Sequence, residues 1–217
     1  MAQKEGKKTR RRHLAIALSF LVVLAGACLL QTCAPDLANT PADRQRRAQA
    51  QQVAGRKWAE PLELPGVPNL HKVSDELYRG AQPSAEGMKQ LEKLGIKTVV
   101  NLRFLTSDRD ELKGTELAYE HINVMTFHPE TEEVVRFLKI VTDPKRTPVF
   151  LHCHQGADRT GMMCAVYRVA VQGWSKDEAI EEMTKGGFGH HPIWKNLPHF
   201  IRKLDMEKIK RAADLNE

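Results

Sequence analysis

The segment HCHQGADRTG, residues 152–161, combines a cysteine, a glycine and an arginine at spacings that suit phosphate chemistry. Cys153 is followed six residues later by Arg159, whose planar guanidinium can bind two phosphate oxygens at once. Gly156 lies between them and lets the backbone turn where a side chain would collide. A loop that leads from a strand into a helix points backbone N–H groups inward, and the helix N-terminus adds partial positive charge. The segment therefore predicts an anion-binding loop whose donors also stabilise a thiolate at residue 153.

The sequence on either side of this segment predicts the elements that position it. Apolar and β-branched runs predict strands at residues 76–79, 96–102, 121–127 and 148–152, and helical spacing predicts helices at residues 85–94, 111–119, 131–141, 160–171, 176–185 and 197–211, with Ser84 and Ser175 as N-caps. This alternation is typical of an α/β fold with a small, mostly parallel sheet covered by helices on both faces. Ligands bind such sheets at the carboxyl ends of the strands. Since residues 148–152 lead directly into Cys153, position also marks this loop as the site.

The loop resembles the signature of the cysteine-dependent tyrosine and dual-specificity phosphatases. Cys153, Gly156, Arg159 and Thr160 carry that resemblance, which extends over residues 69–204. The segments LYRGAQPS, IKTVVNLR and GGFGHHPIWKNL are similar to a bacterial branch of dual-specificity-like phosphatases. The resemblance implies a phosphatase that hydrolyses phosphate monoesters, with phosphotyrosine or phosphoserine/threonine proteins as the expected substrates and with no cofactor or metal.

The resemblance also implies a role for each loop residue. Cys153 would attack phosphorus and form a phosphocysteine, which water then hydrolyses. Arg159 and the loop N–H groups would bind the equatorial oxygens, where charge accumulates. Thr160 would donate a hydrogen bond to the sulfur as it leaves. The residues expected to bind the phosphate are His154, Gln155, Gly156, Ala157, Asp158 and Arg159.

The general acid is the point at which the sequence departs from the common pattern. Many family members carry an aspartate on a separate loop, but the corresponding region here, NVMTFHPETEE at residues 123–133, contains none. Asp158 lies inside the signature and is predicted to be the acid, with Glu130 and His128 as alternatives. A purely structural role is also open for Asp158, because a carboxylate in the first turn of a helix is favoured by the helix dipole.

Three other functions are compatible with these residues. A metal site would draw on His152, Cys153, His154, His190 and His191, but neighbouring strand residues point to opposite sides and no CxxC or HxxxH spacing is present. A catalytically silent phosphate-binding module would keep the loop without turnover. A phosphatase of inositol phosphates or other small phosphoesters would use the same loop on a different substrate.

Residues outside the loop are weaker candidates for the pocket. Arg79 and Arg103 adjoin predicted strand ends, although a solvated or fold-stabilising role is favoured for both. The glycine-rich turn GGFGHHPIW is a candidate pocket wall, with packing as the alternative. Cys164 follows the loop in an apolar context and is predicted to be buried and inert, the alternative being a resolving thiol for oxidised Cys153.

The N-terminus carries a membrane-directed pattern. Residues 14–30 are uncharged and apolar and follow the basic cluster KKTRRRH. This run fits a short membrane span, a signal peptide or, at Cys28, a relaxed lipoprotein box. The basic cluster predicts a cytoplasmic N-terminus and a catalytic domain, residues 69–217, on the exported (periplasmic) side. The later basic residues at 44, 46 and 47 favour the opposite orientation. Residues 34–68 are predicted to be a linker.

The net charge of +6 does not point to nucleic acid. Much of the positive charge lies in residues 4–12 and 44–57, outside the predicted folded domain. Nucleic-acid binding would require basic residues on one folded face together with a reading motif, and neither is present in the sequence.

Overall fold

The computed structural model describes residues 55–215. The apolar run 14–30, the cysteine at 28 and most of the predicted linker lie outside these residues. Within residues 55–215, no helix is both long and apolar enough to cross a membrane.

The strands of the described region form one mixed sheet. In spatial order the sheet runs β1-β2-β3-β6-β4-β5, with β3, β6, β4 and β5 parallel and the β1–β2 edge antiparallel. The predicted mostly parallel sheet is therefore confirmed. The strands are β1 Glu60–Pro61, β2 His71–Lys72, β3 Leu77–Gly80, β4 Thr98–Asn101, β5 Ala118–His121 and β6 Val149–His152.

Six helices accompany this sheet within residues 55–215. Both predicted N-caps are confirmed, since the side chain of Ser84 accepts a hydrogen bond from the N–H of Gly87 and that of Ser175 accepts one from the N–H of Glu178. The helices are α1 Ala85–Lys93, α2 Thr131–Val141, α3 Asp158–Ala170, α4 Lys176–Lys185, α5 Asn196–Lys203 and α6 Met206–Ala212.

Both faces of the sheet are covered by apolar side chains. On β4, Val99 packs with the cluster that contains α1, while its neighbour Val100 packs with the larger cluster that contains α2 to α6. Alternation of side chains along a strand sends successive residues to opposite faces, so consecutive apolar residues such as Val99 and Val100 cover both faces of the sheet. Helix α3 lies at the centre of the larger cluster, and its residues 160–168 are all buried.

The helix predicted at residues 111–119 is wrong, and so is the strand predicted at 121–127. Residues 109–114 form turns, and the strand β5 occupies Ala118–His121, where it pairs with β4. Gly114 adopts a φ of +81°, which a continuing helix does not allow. Pairing with β4 then outweighs the local helical spacing, because tertiary context overrides intrinsic propensity.

The last predicted helix, residues 197–211, is two helices. The chain leaves the helical conformation at Leu204, and Asp205 caps α6 by accepting a hydrogen bond from the N–H of Lys208. The break lets Leu204 and Ile209 both enter the core.

The folded unit also begins earlier than predicted. The compact unit starts at Arg56, whose guanidinium pairs with Glu178, and the N–H of Ala59 donates to Glu182. Residues 56–68 of the predicted linker therefore belong to the domain.

Candidate active site

The signature segment folds as a strand, a loop and a helix. Cys153 directly follows β6, and α3 begins at Asp158. The side chain of Cys153 is 3% exposed, whereas His154 and Gln155 are exposed. Cys153 therefore lies at the base of the loop, and its two successors lie at the rim.

The carbonyl groups of the loop point outward and are held by donors around it. Each of the five carbonyl oxygens from residue 153 to residue 157 accepts a hydrogen bond. The pairs are Cys153 with His152 Nδ1 at 3.1 Å, His154 with the N–H of Gln82 at 3.1 Å, Gln155 with Asn69 Nδ2 at 3.0 Å, Gly156 with Arg79 Nη2 at 2.7 Å, and Ala157 with the N–H of Gly161 at 2.8 Å.

The opposite side of these peptides carries the N–H groups. In a trans peptide the N–H points away from the carbonyl of the preceding residue, so outward carbonyls imply inward N–H groups. Among the described residues, the N–H groups of 154–157 donate to no protein acceptor. Together with the free N–H groups at the start of α3, they form a cradle for a tetrahedral anion.

Arg159 completes this cradle. Its Nη1 lies 3.3 Å from the carbonyl oxygen of Leu102 and 3.5 Å from that of Val124, which follow β4 and β5. Within residues 55–215, no carboxylate lies within ion-pair distance of this guanidinium. The edge of the fork that these carbonyls do not engage can therefore bind phosphate oxygens.

Thr160 lies in the first turn of α3 and is fully buried. Its hydroxyl oxygen has no hydrogen-bond partner within the described chain. A buried hydroxyl usually has a partner, so this one is free to donate to a group that binds or forms at the loop. Its predicted hydrogen bond to the departing sulfur remains a prediction.

Gly156 is required at its position by two features. Its φ is +70°, in the left-handed region, and a Cβ there would overlap the carbonyl group of Gly80 and lie 2.7 Å from the backbone nitrogen of Ala81. The loop thus packs backbone to backbone on the end of β3.

His152 and Asp108 form a buried pair behind the loop. His152 Nε2 lies 2.8 Å from Asp108 Oδ2, and neither side chain is exposed. Because His152 Nδ1 must donate to the carbonyl of Cys153, the second contact is either imidazolium to carboxylate or neutral imidazole accepting from a carboxylic acid. The two forms differ only in whether the proton between the side chains lies on Nε2 or on Oδ2. Asp108 is not among the residues predicted from the sequence, because it lies in the polar run TSDRDE with no distinguishing pattern.

Asp158 is engaged by the segment between α4 and α5. Its Oδ1 accepts a hydrogen bond from the N–H of His191 at 2.9 Å, and its Oδ2 lies 2.7 Å from His191 Nδ1. His190 Nδ1 lies 3.0 Å from Oδ1 but lacks hydrogen-bond geometry. The glycine-rich turn therefore lies against the loop, which is the position that a pocket wall would occupy. The role of Asp158 as general acid stays a prediction.

The alternative acids lie on the chain that follows β5. His128 Nε2 is 3.9 Å from Glu130 Oε1, and both side chains are exposed. Glu130 also forms a capping box with Glu133 at the start of α2. That contact gives Glu130 a structural role.

The remaining candidates occupy different positions. Arg79 is buried directly behind the loop, whereas Arg103 Nη1 donates to Gln82 Oε1 at 2.7 Å nearer the surface. Cys164 is buried, and burial raises the pKa of its thiol to about 11, which keeps it protonated at neutral pH. No group of three or more metal-ligating side chains within residues 55–215 is arranged to hold a metal ion.

Comparison with known proteins agrees with this geometry. Residues 67–196 match the family model described as "DSP-PTPase phosphatase fused to NAD+ Kinase". The dual specificity protein phosphatase TpbA of Pseudomonas aeruginosa is 33% identical over 156 residues, which cover 71% of this chain and 70% of TpbA. The inositol diphosphatase DSP5 of Arabidopsis thaliana is 30% identical over 157 residues, which cover 67% of this chain and 74% of that protein.

Solved structures show the same relationship. The crystal structure of P. aeruginosa TpbA superposes with a TM-score of 0.65 at 32% identity, covering 74% of this chain and 99% of TpbA. A cysteine-to-serine variant of TpbA in complex with pTyr gives a TM-score of 0.66 at 31% identity, covering 75% and 99%. The chain belongs to the dual-specificity and tyrosine phosphatase family and is a cysteine-dependent phosphatase.

Proposed function

We propose that this phosphatase acts on phosphotyrosine in proteins, and that an apolar rim around the loop selects this substrate. The rim is formed by four exposed apolar side chains on three segments at the carboxyl edge of the sheet. They are Phe104, Leu105, Phe127 and Ile193, which are 45%, 78%, 69% and 79% exposed. Large apolar side chains that cluster on a surface mark binding sites.

Hydrogen bonds hold these three segments together around Arg159. Its contacts with Leu102 and Val124 fix the starts of the first two segments. The N–H of Leu105 donates to Asn123 Oδ1 at 3.1 Å, and Asn196 Nδ2 donates to the carbonyl of Thr126 at 2.7 Å. The second bond brings the third segment, which contains Ile193, beside the segment that contains Phe127.

Leu105 supports a binding role by its backbone. Its φ is +55°, a left-handed value that is unfavourable for a branched side chain, and the side chain is nonetheless turned to solvent. Strain of this kind is retained where function requires it. An aromatic phosphoester with apolar flanking residues fits such a rim.

The charge of the loop favours phosphotyrosine over inositol diphosphates, the substrates named for DSP5 and for SIW14 of Saccharomyces cerevisiae. Between Cys153 and Arg159 there is no lysine or arginine, and Asp158 adds a carboxylate. A substrate with several phosphate groups requires several cations at the pocket mouth.

A substrate panel tests this proposal. We expect kcat/KM for a phosphotyrosine peptide with apolar flanking residues to exceed that for the matching phosphoserine peptide and for an inositol diphosphate. Phe127→Ala should raise KM for the phosphotyrosine peptide roughly tenfold, the scale of a lost apolar anchor, and leave p-nitrophenyl phosphate nearly unchanged. Val171→Ala, which removes an exposed apolar side chain at the far end of α3, is the matched control.

Two results would contradict the proposal. One is a higher kcat/KM for the inositol diphosphate than for the phosphotyrosine peptide. The other is a KM for the phosphotyrosine peptide that rises no more in Phe127→Ala than in Val171→Ala. Loss of all turnover in Cys153→Ser checks that the measured activity belongs to this site.

We also propose that residues 14–30 attach the chain to a membrane, with the catalytic domain on the exported side. The support is the uncharged run of these residues behind a basic cluster. A reporter enzyme that is active only outside the cytoplasm, fused after residue 34, should be active, and the chain should fractionate with membranes. The topology would be contradicted if this reporter is inactive and a reporter that works only in the cytoplasm is active at the same fusion point. Cys28→Ser would show whether lipidation contributes.

A further inference from the structure

We propose that Arg79 is a positioning residue for catalysis, which fixes the phosphate-binding loop from behind and places a positive charge without an ion-pair partner beneath it. The inference extends the phosphatase activity and does not depend on which phosphoester is the natural substrate.

The contact between Arg79 and the loop is direct. Its Nη2 donates to the carbonyl of Gly156 at 2.7 Å and approaches that of Ala157 at 3.5 Å. Because a peptide group is planar and trans, a carbonyl held from behind directs the next N–H the opposite way. Arg79 therefore orients the N–H of Ala157 toward the anion, and its longer contact adds to the hydrogen bond from Gly161 that orients the N–H of Asp158.

The donor that Arg79 supplies has no substitute at this position. The carbonyl groups of His154 and Gln155 belong to exposed residues, where water can replace a lost protein donor. Gly156 is buried, and Arg79 is the donor to its carbonyl within the described chain, whereas the carbonyl of Ala157 also accepts from the N–H of Gly161 at 2.8 Å. A buried carbonyl without a donor is costly, so the loop would rearrange if Arg79 were lost.

Packing fixes the guanidinium itself. Arg79 lies on β3 opposite Leu151 of β6, and its guanidinium stacks on the ring of Phe188 at 3.8 Å. Gly161 of α3 lies beside it, since a Cβ at residue 161 would be in ordinary contact with Arg79 Nη2 at 3.7 Å. A side chain held by a ring, a strand and a helix can transmit its position to the loop.

The charge of Arg79 is left without an acidic partner. Its side chain is 1% exposed, and within residues 55–215 no carboxylate lies within ion-pair distance. The nearby carboxylate of Glu182 is occupied by Arg168 at 2.6 Å. Burial lowers the pKa of the Arg79 guanidinium, since it removes the charge from water.

Arg168 shows what an ordinary buried arginine looks like in this fold. It is equally buried, stacks on Trp174 at 4.3 Å and donates to the carbonyl of Val73, but it has Glu182 as its partner. Arg79 keeps the cost of a buried cation without that compensation. The anion that would compensate it is the phosphate bound on the other side of the loop.

The test compares Arg79→Met with Arg168→Met in the full-length chain. Both variants remove a buried arginine, so both should unfold at a lower temperature. We expect only Arg79→Met to raise the inhibition constant of inorganic phosphate, about tenfold or more, and to lower kcat for p-nitrophenyl phosphate by roughly 10²-fold, as loss of oriented oxyanion donors does. Assays are run below the unfolding temperature of both variants.

A second variant keeps the test decisive if Arg79→Met does not fold. Arg79→Lys retains the charge but replaces the planar fork with a single ammonium group, so phosphate inhibition should be partly preserved while kcat falls at least tenfold. Wild-type kcat and phosphate inhibition in folded Arg79→Met, or wild-type kcat in Arg79→Lys, would overturn the proposal. If the wild-type chain hydrolyses p-nitrophenyl phosphate but shows no preference for phosphotyrosine, the rim proposal fails and this one stands.

Discussion

The carboxylate of Asp158 is bound at both oxygens by one residue, His191, through its backbone N–H at 2.9 Å and its Nδ1 at 2.7 Å. The bond joins the first turn of α3 to the segment after α4. It also makes an aspartate–histidine pair, since a proton on Nδ1 is shared with Oδ2 while half of the imidazole side chain faces solvent. The pair can therefore anchor the loop, deliver a proton, or both.

Asp158→Asn separates these two roles. If the pair supplies the proton, turnover of an alkyl phosphate should fall roughly 10²-fold, because an alkoxide leaves poorly without protonation, while an aryl phosphate changes little. His191→Ala should show the same bias to a smaller extent. Steady-state kcat/KM for both esters is the measurement, and equal losses on both would leave Asp158 with anchoring alone. Glu130→Gln tests the alternative acid by the same ratio.

Gly156→Ala should inactivate the enzyme, whereas Gly187→Ala should not. Both glycines have left-handed φ values, +70° and +82°, so each substitution adds about 1–2 kcal/mol of backbone strain. Only at residue 156 would the new Cβ also overlap the backbone of Gly80, since nothing lies within 4 Å at residue 187. Thermal unfolding and p-nitrophenyl phosphate turnover check this, and similar activities of the two variants would contradict it.

Removing Asp108 should destabilise the protein more than replacing it with asparagine. Asp108→Ala leaves Nε2 of His152 buried without a partner and should lower the free energy of unfolding by about 3 kcal/mol. Asp108→Asn can donate an amide N–H to the neutral imidazole, so its loss should be about 1 kcal/mol. Urea unfolding measures both.

The exposed Asp110 provides the control on the same loop. Asp110→Ala breaks only a surface pair with Lys113 and should change the free energy of unfolding by less than about 0.5 kcal/mol. Because His152 also holds the carbonyl of Cys153, kcat should fall in Asp108→Ala and remain unchanged in Asp110→Ala. Equal stabilities of the two variants would contradict a structural role for the buried pair.

Cys164 should make the fold sensitive to alkali. Burial raises the pKa of its thiol from 9.0 to about 11. Below pH 9 the thiol is protonated in both the folded and the unfolded chain, but between pH 9 and 11 only the unfolded chain releases the proton. The free energy of unfolding should therefore fall across this window, by up to about 2.7 kcal/mol.

The contribution of Cys164 is isolated by difference. Tyr167, whose pKa is also raised chiefly by burial, acts in the same direction on the same helix. The free energy of unfolding of Cys164→Ala, measured from pH 8 to pH 10.5, should decline less steeply than that of the unsubstituted chain. Parallel declines would show that Cys164 does not titrate in this window.

Local sequence was sufficient to predict structure where a residue pattern is compatible with one conformation only. Ser175 before an amphipathic run gave the bounds of α4, and the spacing of Cys153, Gly156 and Arg159 identified the loop and the family. Local sequence failed at residues 111–119, where helical spacing lost to pairing with β4, and at Leu204, where core packing divided one predicted helix into two.

The chain alone determined the nucleophile loop and its chemistry, because these depend on residue types at fixed separations along ten consecutive positions. Only the tertiary structure decided what supports that loop. Arg79 lies 77 residues before Gly156 along the chain, and Asp108 lies 44 before His152. Such contacts depend on which strands become neighbours, so an arginine on β3 or an aspartate in a polar loop has no local feature that reveals its partner.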